Sequence, residues 1–371
     1  MTKFTNELRD VMVGSHLERD TGLTGFQTRI LAAAIRAPSG DNCQPWRFHF
    51  ESERLVRISA DLDRAKSFFD FEHRATALSI GASIENMRMQ AASEGFATEL
   101  AYAAEDDGEN YATLTFSRNE AMRMSQARVA ALFQRTVNRR PFLPMAISPS
   151  LRARLLEEPV DGVMVQMISE RRDISQWAEV IEIGDRIRYS HPVIHEELFS
   201  KLLVNRQMAQ DVRMGLEIDR LGVGPLGGML LRWLRPWPRV QRLSRWGLVY
   251  ALARQSGLLA RFTGSLVLIT IGRNGSQNWV RAGEQVQRLW TKAQELGLQT
   301  HPMPVALYLD HRYHSEGLNN FLPAHYELLR RLRSRIESLI PTGTGVMLFR
   351  LGWGWPMRGQ SVRLPIERFL S

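Results

Sequence analysis

The chain has 371 residues, 44% of them hydrophobic, one cysteine and a formal net charge of +9. That length accommodates two domains of about 150 residues plus an insertion, and a single cysteine excludes an intramolecular disulfide and fits a reducing cytoplasm. No apolar run approaches the roughly 20 residues that span a bilayer, the opening residues with Lys3, Glu7, Arg9 and Asp10 lack the apolar stretch of a secretory signal, and no GxGxxG or GxxxxGK[ST] element anchors a dinucleotide or P-loop reading.

Residues 1–26 read as an N-terminal extension, and a helix is expected over 27–37. Ala37–Trp46, APSGDNCQPW, then forms a loop. Pro38 and Pro45 fix φ and remove backbone donors, so neither helix nor sheet ladder continues through it. Ser39, Asp41 and Asn42 can hydrogen-bond locally or outward. An ordinary helix-to-strand connection and a polar cradle for a planar ligand both fit these residues. Strands are expected near 47–50 and 54–60, a long helix over 72–94, and strands near 97–103 and 111–117. Residues 111–116, YATLTF, alternate at period two.

The second half opens on the basic run RTVNRRPF, Arg135–Phe142. Ser148-Pro149 is a cap and first-turn pair for a helix. Val163–Ile168 reads as a strand. Residues 190–260 read as an insertion in which Gly222, Gly224, Gly227 and Gly228 are loop hinges. Gly264–Ile271 reads as a buried central strand. A second long helix, a helix near 322–339 and a strand at Val346–Arg350 complete the half.

The two halves share a pattern. Gly81 and Gly95 of the first long helix recur as Gly283 and Gly297, both 202 residues later. Gly95 and Gly297 sit where a helix C-cap is expected. An internal duplication follows, with domains at 27–130 and 131–371.

The loop resembles the signature of the nitroreductase family: Ala37-Pro38-Ser39, then Asn42, then Gln44-Pro45-Trp46. The Arg135–Phe142 run is similar to the basic motif that opens a nitroreductase domain. Leu351–Pro356 and Ser361–Pro365 are similar to its closing segment. The unequal copies resemble the tandem Acg-like branch, in which two degenerate repeats form one flavin site under a lid. The resemblance implies an α+β nitroreductase-like fold, a fused pseudo-dimer, and non-covalent flavin mononucleotide (FMN). It assigns Pro38, Ser39, Asn42, Gln44 and Trp46 to the ring side, and Arg135, Asn138, Arg140 and Arg363 to the ribityl and phosphate side. The expected activity is NAD(P)H-dependent reduction of a small organic acceptor, with the flavin carrying the chemistry. An FMN-storing protein without turnover is the alternative. In relatives a Glu-Gly pair places amide donors near flavin N5, whereas here Pro304-Val305 stands there. The chain is expected to be a monomeric pseudo-dimer or a homodimer.

Other signals carry less. Residues 219–261 hold eight arginines against Asp219 alone, with Trp233, Trp237 and Trp246. A lid over the flavin, contact with anionic lipid, nucleic-acid binding and a solvated face all fit; no nucleic-acid motif accompanies the charge. His191 and His195 lie four apart but lack an HExxH pattern, so no metal site is expected. His311 and His314 read as surface residues, and Cys43 as a small space-filler.

Overall fold

A computed structural model describes residues 22–104, 109–122, 124–357 and 359–371; most of the expected N-terminal extension lies outside them. Helix α1 (Gly25–Ala34) starts two residues earlier than expected because of its cap. Thr24 accepts from the Gln27 amide and the Gln27 side chain accepts from the Thr24 amide, a reciprocal capping box. The APSGDNCQPW loop holds a single 3-10 turn at Gly40–Asn42.

Next come β1 (Trp46–Ser52), β2 (Leu55–Ala60), the short α2 (Leu62–Ala65), α3 (Arg74–Ser93), β3 (Phe96–Tyr102), β4 (Asn110–Arg118) and α4 (Gln126–Gln134). The second half begins with α5 (Pro149–Leu155), where Ser148 caps the helix by accepting from Leu151 N and Pro149 occupies the first turn. It continues with β5 (Val163–Ile168), α6 (Arg171–Ser190), α7 (Pro192–Ser200), β6 (Leu202–Leu203), α8 (Arg206–Val212) and β7 (Leu216–Glu217). Then follow α9 (Gly224–Trp233), α10 (Trp237–Ser244), α11 (Leu248–Arg261), β8 (Ser265–Ile271), α12 (Ser276–Glu295) and β9 (Gln299–Pro302). The half closes with α13 (Val305–Glu316), α14 (Tyr326–Leu339) and β10 (Thr344–Gly352).

Two four-stranded antiparallel sheets result, in the orders β1-β2-β4-β3 and β5-β8-β10-β9. Each is two strands, a 20-residue helix and two more strands, with the last strand inserted between the second and third. Both ends of α12 lie 202 residues beyond those of α3, 276 against 74 and 295 against 93. β8 is buried along its whole length, as a strand flanked on both edges and both faces must be. Gly95 and Gly297, just past these helices, have φ of 79° and 74°, where a side chain would be strained.

α3 and α12 cross at their glycines. A Cβ on Gly81 would stand 1.8 Å from Val280 O, and one on Gly283 2.0 Å from Leu78 O. Absence of side chains lets the two backbones touch, and one continuous apolar core, from Leu23 to Phe369, spans both halves around them. Cross-helix polar pairs fix the register: Arg288 with Glu85 in a fork of 2.8 Å bonds, Arg88 with Glu284 at 2.7 Å, and Gln287 Nε2 donating to Asn86 Oδ1 at 2.6 Å. After β10 the chain leaves the second sheet and returns to the first. Leu370 bridges Phe48 of β1, and Phe369 packs 6.2 Å from the ring of Trp46.

Two expectations are corrected. Gly224, Gly227 and Gly228 lie inside α9 rather than in a hinge: Pro225 sits in the first turn, where its missing N–H costs nothing, and Gly228 faces the buried side. His311 is half-buried, with Nε2 against Gly345 O at 2.8 Å and its ring edge-on to Trp279; only His314 of that pair is exposed.

Gly81→Ala should destabilise the chain by at least about 2 kcal/mol, because the added Cβ has no room and backbone must move. Thermal unfolding of the purified variant reads this directly; an unchanged melting temperature would contradict the helix crossing.

Candidate functional site

The site is built where the returning tail meets the loop after α1. Three non-glycine residues of that loop, Asp41, Asn42 and Gln44, have φ of 49°, 56° and 52°. Such backbone strain persists only where surrounding bonds over-determine it. Here Ser39 Oγ accepts from Gln44 N at 3.0 Å, and Gln44 Oε1 accepts from Leu364 N at 3.0 Å. Gln44 Nε2 donates to Arg213 O at 2.8 Å, and Asn42 Nδ2 donates to Val362 O at 3.1 Å. Arg363 completes the clasp, donating to Asn42 Oδ1 at 2.8 Å, Ile35 O at 2.6 Å and Ala37 O at 3.0 Å. An early loop and a late arginine are therefore in direct contact.

A small cavity of about 90 Å³ lies beside this clasp. Its wall includes Pro38, Ser39 and Asn42, five arginines (Arg36, Arg135, Arg139, Arg220 and Arg363) and one carboxylate, Glu217. Glu217 pairs with Arg220 at 3.0 Å. The described hydrogen bonds of Arg135, Arg139 and Arg363 go to uncharged acceptors. Arg135 donates to Arg36 O at 2.8 Å and stacks 4.3 Å from the Trp290 ring, while its buried Nε finds no partner. Arg139 donates to Arg220 O at 3.0 Å, and Arg36 to the Gln360 side chain.

Burial, then the charge of Arg36, pulls Arg135 down to about 9. Burial, then Arg188, pulls Arg139 to about 10. Burial, then Arg36 and Arg135, holds Arg363 well below the usual arginine range. The common cause is positive charge taken out of water beside more positive charge, which is costly unless an anion answers it. A group with several negative oxygens, held by bidentate guanidinium contacts, is the matching partner.

A larger cavity of about 1600 Å³ shares Arg36, Glu217, Arg220 and Arg363 with the small one and runs out between α8, β7 and the tail around Trp355–Glu367. It exceeds the roughly 300–1,000 Å³ of ordinary small-molecule sites.

The residues named from the sequence divide into three groups. Pro38, Ser39, Asn42, Arg135 and Arg363 line the small cavity. Arg140 is exposed and lines only the larger one. Gln44, Trp46 and Asn138 are fully buried and belong to neither lining. Gln44 clamps loop to tail, and Trp46 packs in the core. Asn138 Nδ2 donates to Gln299 Oε1 and Trp355 O, both at 2.9 Å, tying the basic run to the tail. Arg36, Arg139 and Arg220 were not anticipated. Arg36 immediately precedes the Ala-Pro-Ser motif, and Arg139 is the neighbour of Arg140; only the fold decides which of adjacent arginines turns inward. Arg220 comes from the insertion and carries no sequence signal.

His191 Nε2 lies 2.9 Å from Asn320 O, and His195 Nε2 2.9 Å from Arg235 O, so both rings serve the packing of α7. Among the described residues no group of three or more His, Cys, Asp or Glu side chains could hold a metal ion. His301 on β9 is kept neutral: burial, then Arg350, Arg139 and Arg188, push it well below the ordinary histidine value.

No protein-family profile matches the chain. The chain is 28% identical over 333 residues to the uncharacterised protein MT1398 of Mycobacterium tuberculosis (strain CDC 1551), covering 87% of this chain and 45% of that protein. It is 27% identical over 174 residues to the uncharacterised protein Rv3127 of M. tuberculosis strain H37Rv, covering 44% and 49%. The chain thus spans about half the length of the curated relatives it matches. Similar solved structures include the FMN and NADPH-dependent nitroreductase NfnB from Sphigopyxis sp. strain HMH, at a TM-score of 0.35 and 15% identity over 67% of this chain and 98% of that one. A candidate nitroreductase from Anabaena variabilis aligns at a TM-score of 0.45 and 9% identity over 89% of each chain. Neither superposition is close.

Burial, then the charge of Asp41, pushes the Cys43 thiol up to about 12 from 9.0. Its thiolate fraction near neutral pH should fall about a thousandfold. Alkylation of native protein at pH 8 should be slower than that of unfolded protein by a factor of that order. Equal rates would place Cys43 in a reactive setting.

Proposed function

We propose that this chain binds FMN at the loop–tail clasp and acts as an FMN-dependent NAD(P)H oxidoreductase of the nitroreductase type. The observation that carries this reading is the set of arginines at the small cavity, Arg135 buried and Arg139 and Arg363 half-buried, beside a wall that includes the carboxylate of Glu217. A dianionic phosphate would supply the missing charge. The two sheets of equal strand order, joined through the α3–α12 crossing, support a fused pseudo-dimer made of repeats 27–130 and 131–371. The segment from α7 to α11 is then its lid, and β7 with Arg220 closes over the cation cluster. A single pseudo-dimeric chain or a pair of such chains would serve, in a cytoplasmic setting.

Bound FMN would supply two-electron redox chemistry. The chain's own residues bind, orient and shield it. Arg363, Arg135, Arg139 and Arg36 would hold the phosphate by charge-assisted bonds. Asn42, Ser39 and Pro38 would position the ribityl chain and ring edge. Gln44 and Asn138 act one step back, holding the loop and the basic run in place. Arg140, at the edge of the larger cavity, is placed for the outer part of a phosphate-bearing partner such as NAD(P)H. A nitroaromatic, quinone or enone acceptor fits the same open space.

A specific feature favours the second reading, FMN storage without turnover. Pro304 stands at the head of α13 and has no N–H to offer, so Val305 provides the first amide there. An insertion packed over the arginines also suits retention.

Purified protein should be yellow, and Arg363→Ala should weaken FMN binding at least tenfold, since a hydrogen bond to a charged group contributes about 1.5–3 kcal/mol. Arg363→Lys, which keeps the charge but loses the fork, should fall between. Calorimetric titration checks both, with circular dichroism confirming the fold; unchanged affinity would contradict the phosphate assignment. Anaerobic addition of NADH or NADPH separates the two readings. Rapid loss of the flavin absorbance supports the oxidoreductase, and a persistent band supports storage.

A further inference from the structure

The insertion presents a surface that the flavin reading does not use. In α9, Leu226, Met229, Leu230 and Trp233 follow the i, i+3, i+4, i+7 spacing of one helical face. They are 82%, 64%, 44% and 48% exposed. The opposite face is already satisfied: Leu231 and the following Leu234 pack into a small core with Phe199, Leu202, Ile218 and Val240. The helix is seated, and its outer face is apolar. Trp246, just before α11, and Tyr250, in its first turn, are 85% and 60% exposed as well.

The charge along this stretch of chain is almost all positive. Residues 219–261 contain eight arginines against Asp219 alone. Among the described residues, the carboxylate pairs of this stretch are made by Arg220, Arg254 and Arg261. Arg232, Arg235, Arg239, Arg242 and Arg245 are all exposed. Arg239 lies 5.0 Å over the Trp233 ring and donates to Trp233 O at 2.7 Å, which sets positive charge directly against the stripe.

We propose that α9 and α10 form a docking surface for an anionic lipid bilayer. The Leu226–Trp233 stripe enters the headgroup–acyl boundary, and the arginines meet lipid phosphates. A second copy of the chain would bring the same uncompensated arginines face to face. A nucleic acid would match the arginines but leave the stripe facing water. Only a partner with negative headgroups above an apolar interior answers both features. The stripe is one ten-residue helix, about 15 Å long, so docking is reversible and depends on salt. Ile218, in the small core under α9, also lines the larger cavity, so a docked α9 would hold that cavity's outer wall near the membrane.

The full chain should co-sediment with vesicles of phosphatidylcholine mixed with phosphatidylglycerol, stay in solution with phosphatidylcholine alone, and be released by high salt. Each arginine at an anionic surface strengthens partition about fivefold. Replacing Arg235, Arg242 and Arg245 together by Gln should therefore weaken it about a hundredfold. Leu226→Ser with Met229→Ser, both surface changes that leave the packed face intact, should weaken it at least about tenfold. The proposal is overturned if anionic vesicles are not bound at low salt, or if the serine variant binds as well as the parent. It is equally overturned if the stripe mediates a dimer that the serine variant dissolves, or if duplex DNA binds while vesicles do not.

Discussion

Arginine charge held out of water with fewer carboxylates than guanidinium groups to answer it is the constraint on which this structure turns. Arg135, Arg139 and Arg363 are surrounded largely by backbone carbonyls and by one another. Carbonyl oxygens satisfy donors but do not cancel charge. The arrangement persists because the rest of the chain imposes it. The tail must reach β1 to bury Phe369 and pair Leu370, and Arg363 lies on that path. The loop must cross αL space to turn from α1 into β1, and its strained residues are pinned by the same tail. Folding thus concentrates positive charge at the joint between the two halves, and an anion there would relieve it.

The joint exists because two backbones can touch. Gly81 and Gly283 allow α3 and α12 to meet without side chains between them, and the polar pairs alongside admit one register. Everything that crosses from one half to the other, including the Arg88–Glu284 and Arg288–Glu85 pairs and the Arg363–Asn42 bond, depends on that approach.

Much of this was legible from residue order. Period-two alternation placed β4, the Ser148-Pro149 pair placed the start of α5, and the 202-residue repeat of glycines placed both long helices and their caps. The pairing of the Asn42 loop with the Arg363 tail was readable only through the resemblance of both segments to nitroreductase motifs; nothing in their composition alone joins them. Choices between chemically similar neighbours were not. Arg139 lines the small cavity and Arg140 is exposed at the larger one, although the two are adjacent and identical in type; the path of an irregular segment decides between them. Asn138 and Gln44 look like ligand contacts by composition, yet their amides are consumed in joining segments far apart in sequence. The insertion hid its helices behind glycines that in another context mark turns, and so hid Arg220 as well. His311 was misplaced because only tertiary packing reveals that Gly345 O waits beside it.

The most direct measurement is a double-mutant cycle for FMN affinity on Asn42→Ala, Arg363→Ala and the two together. If loop and tail grip the same cofactor as one unit, each single change should weaken binding strongly and the pair little more than the worse of the two. Strictly additive losses, or affinity unmoved by either change, would contradict a shared site at the clasp.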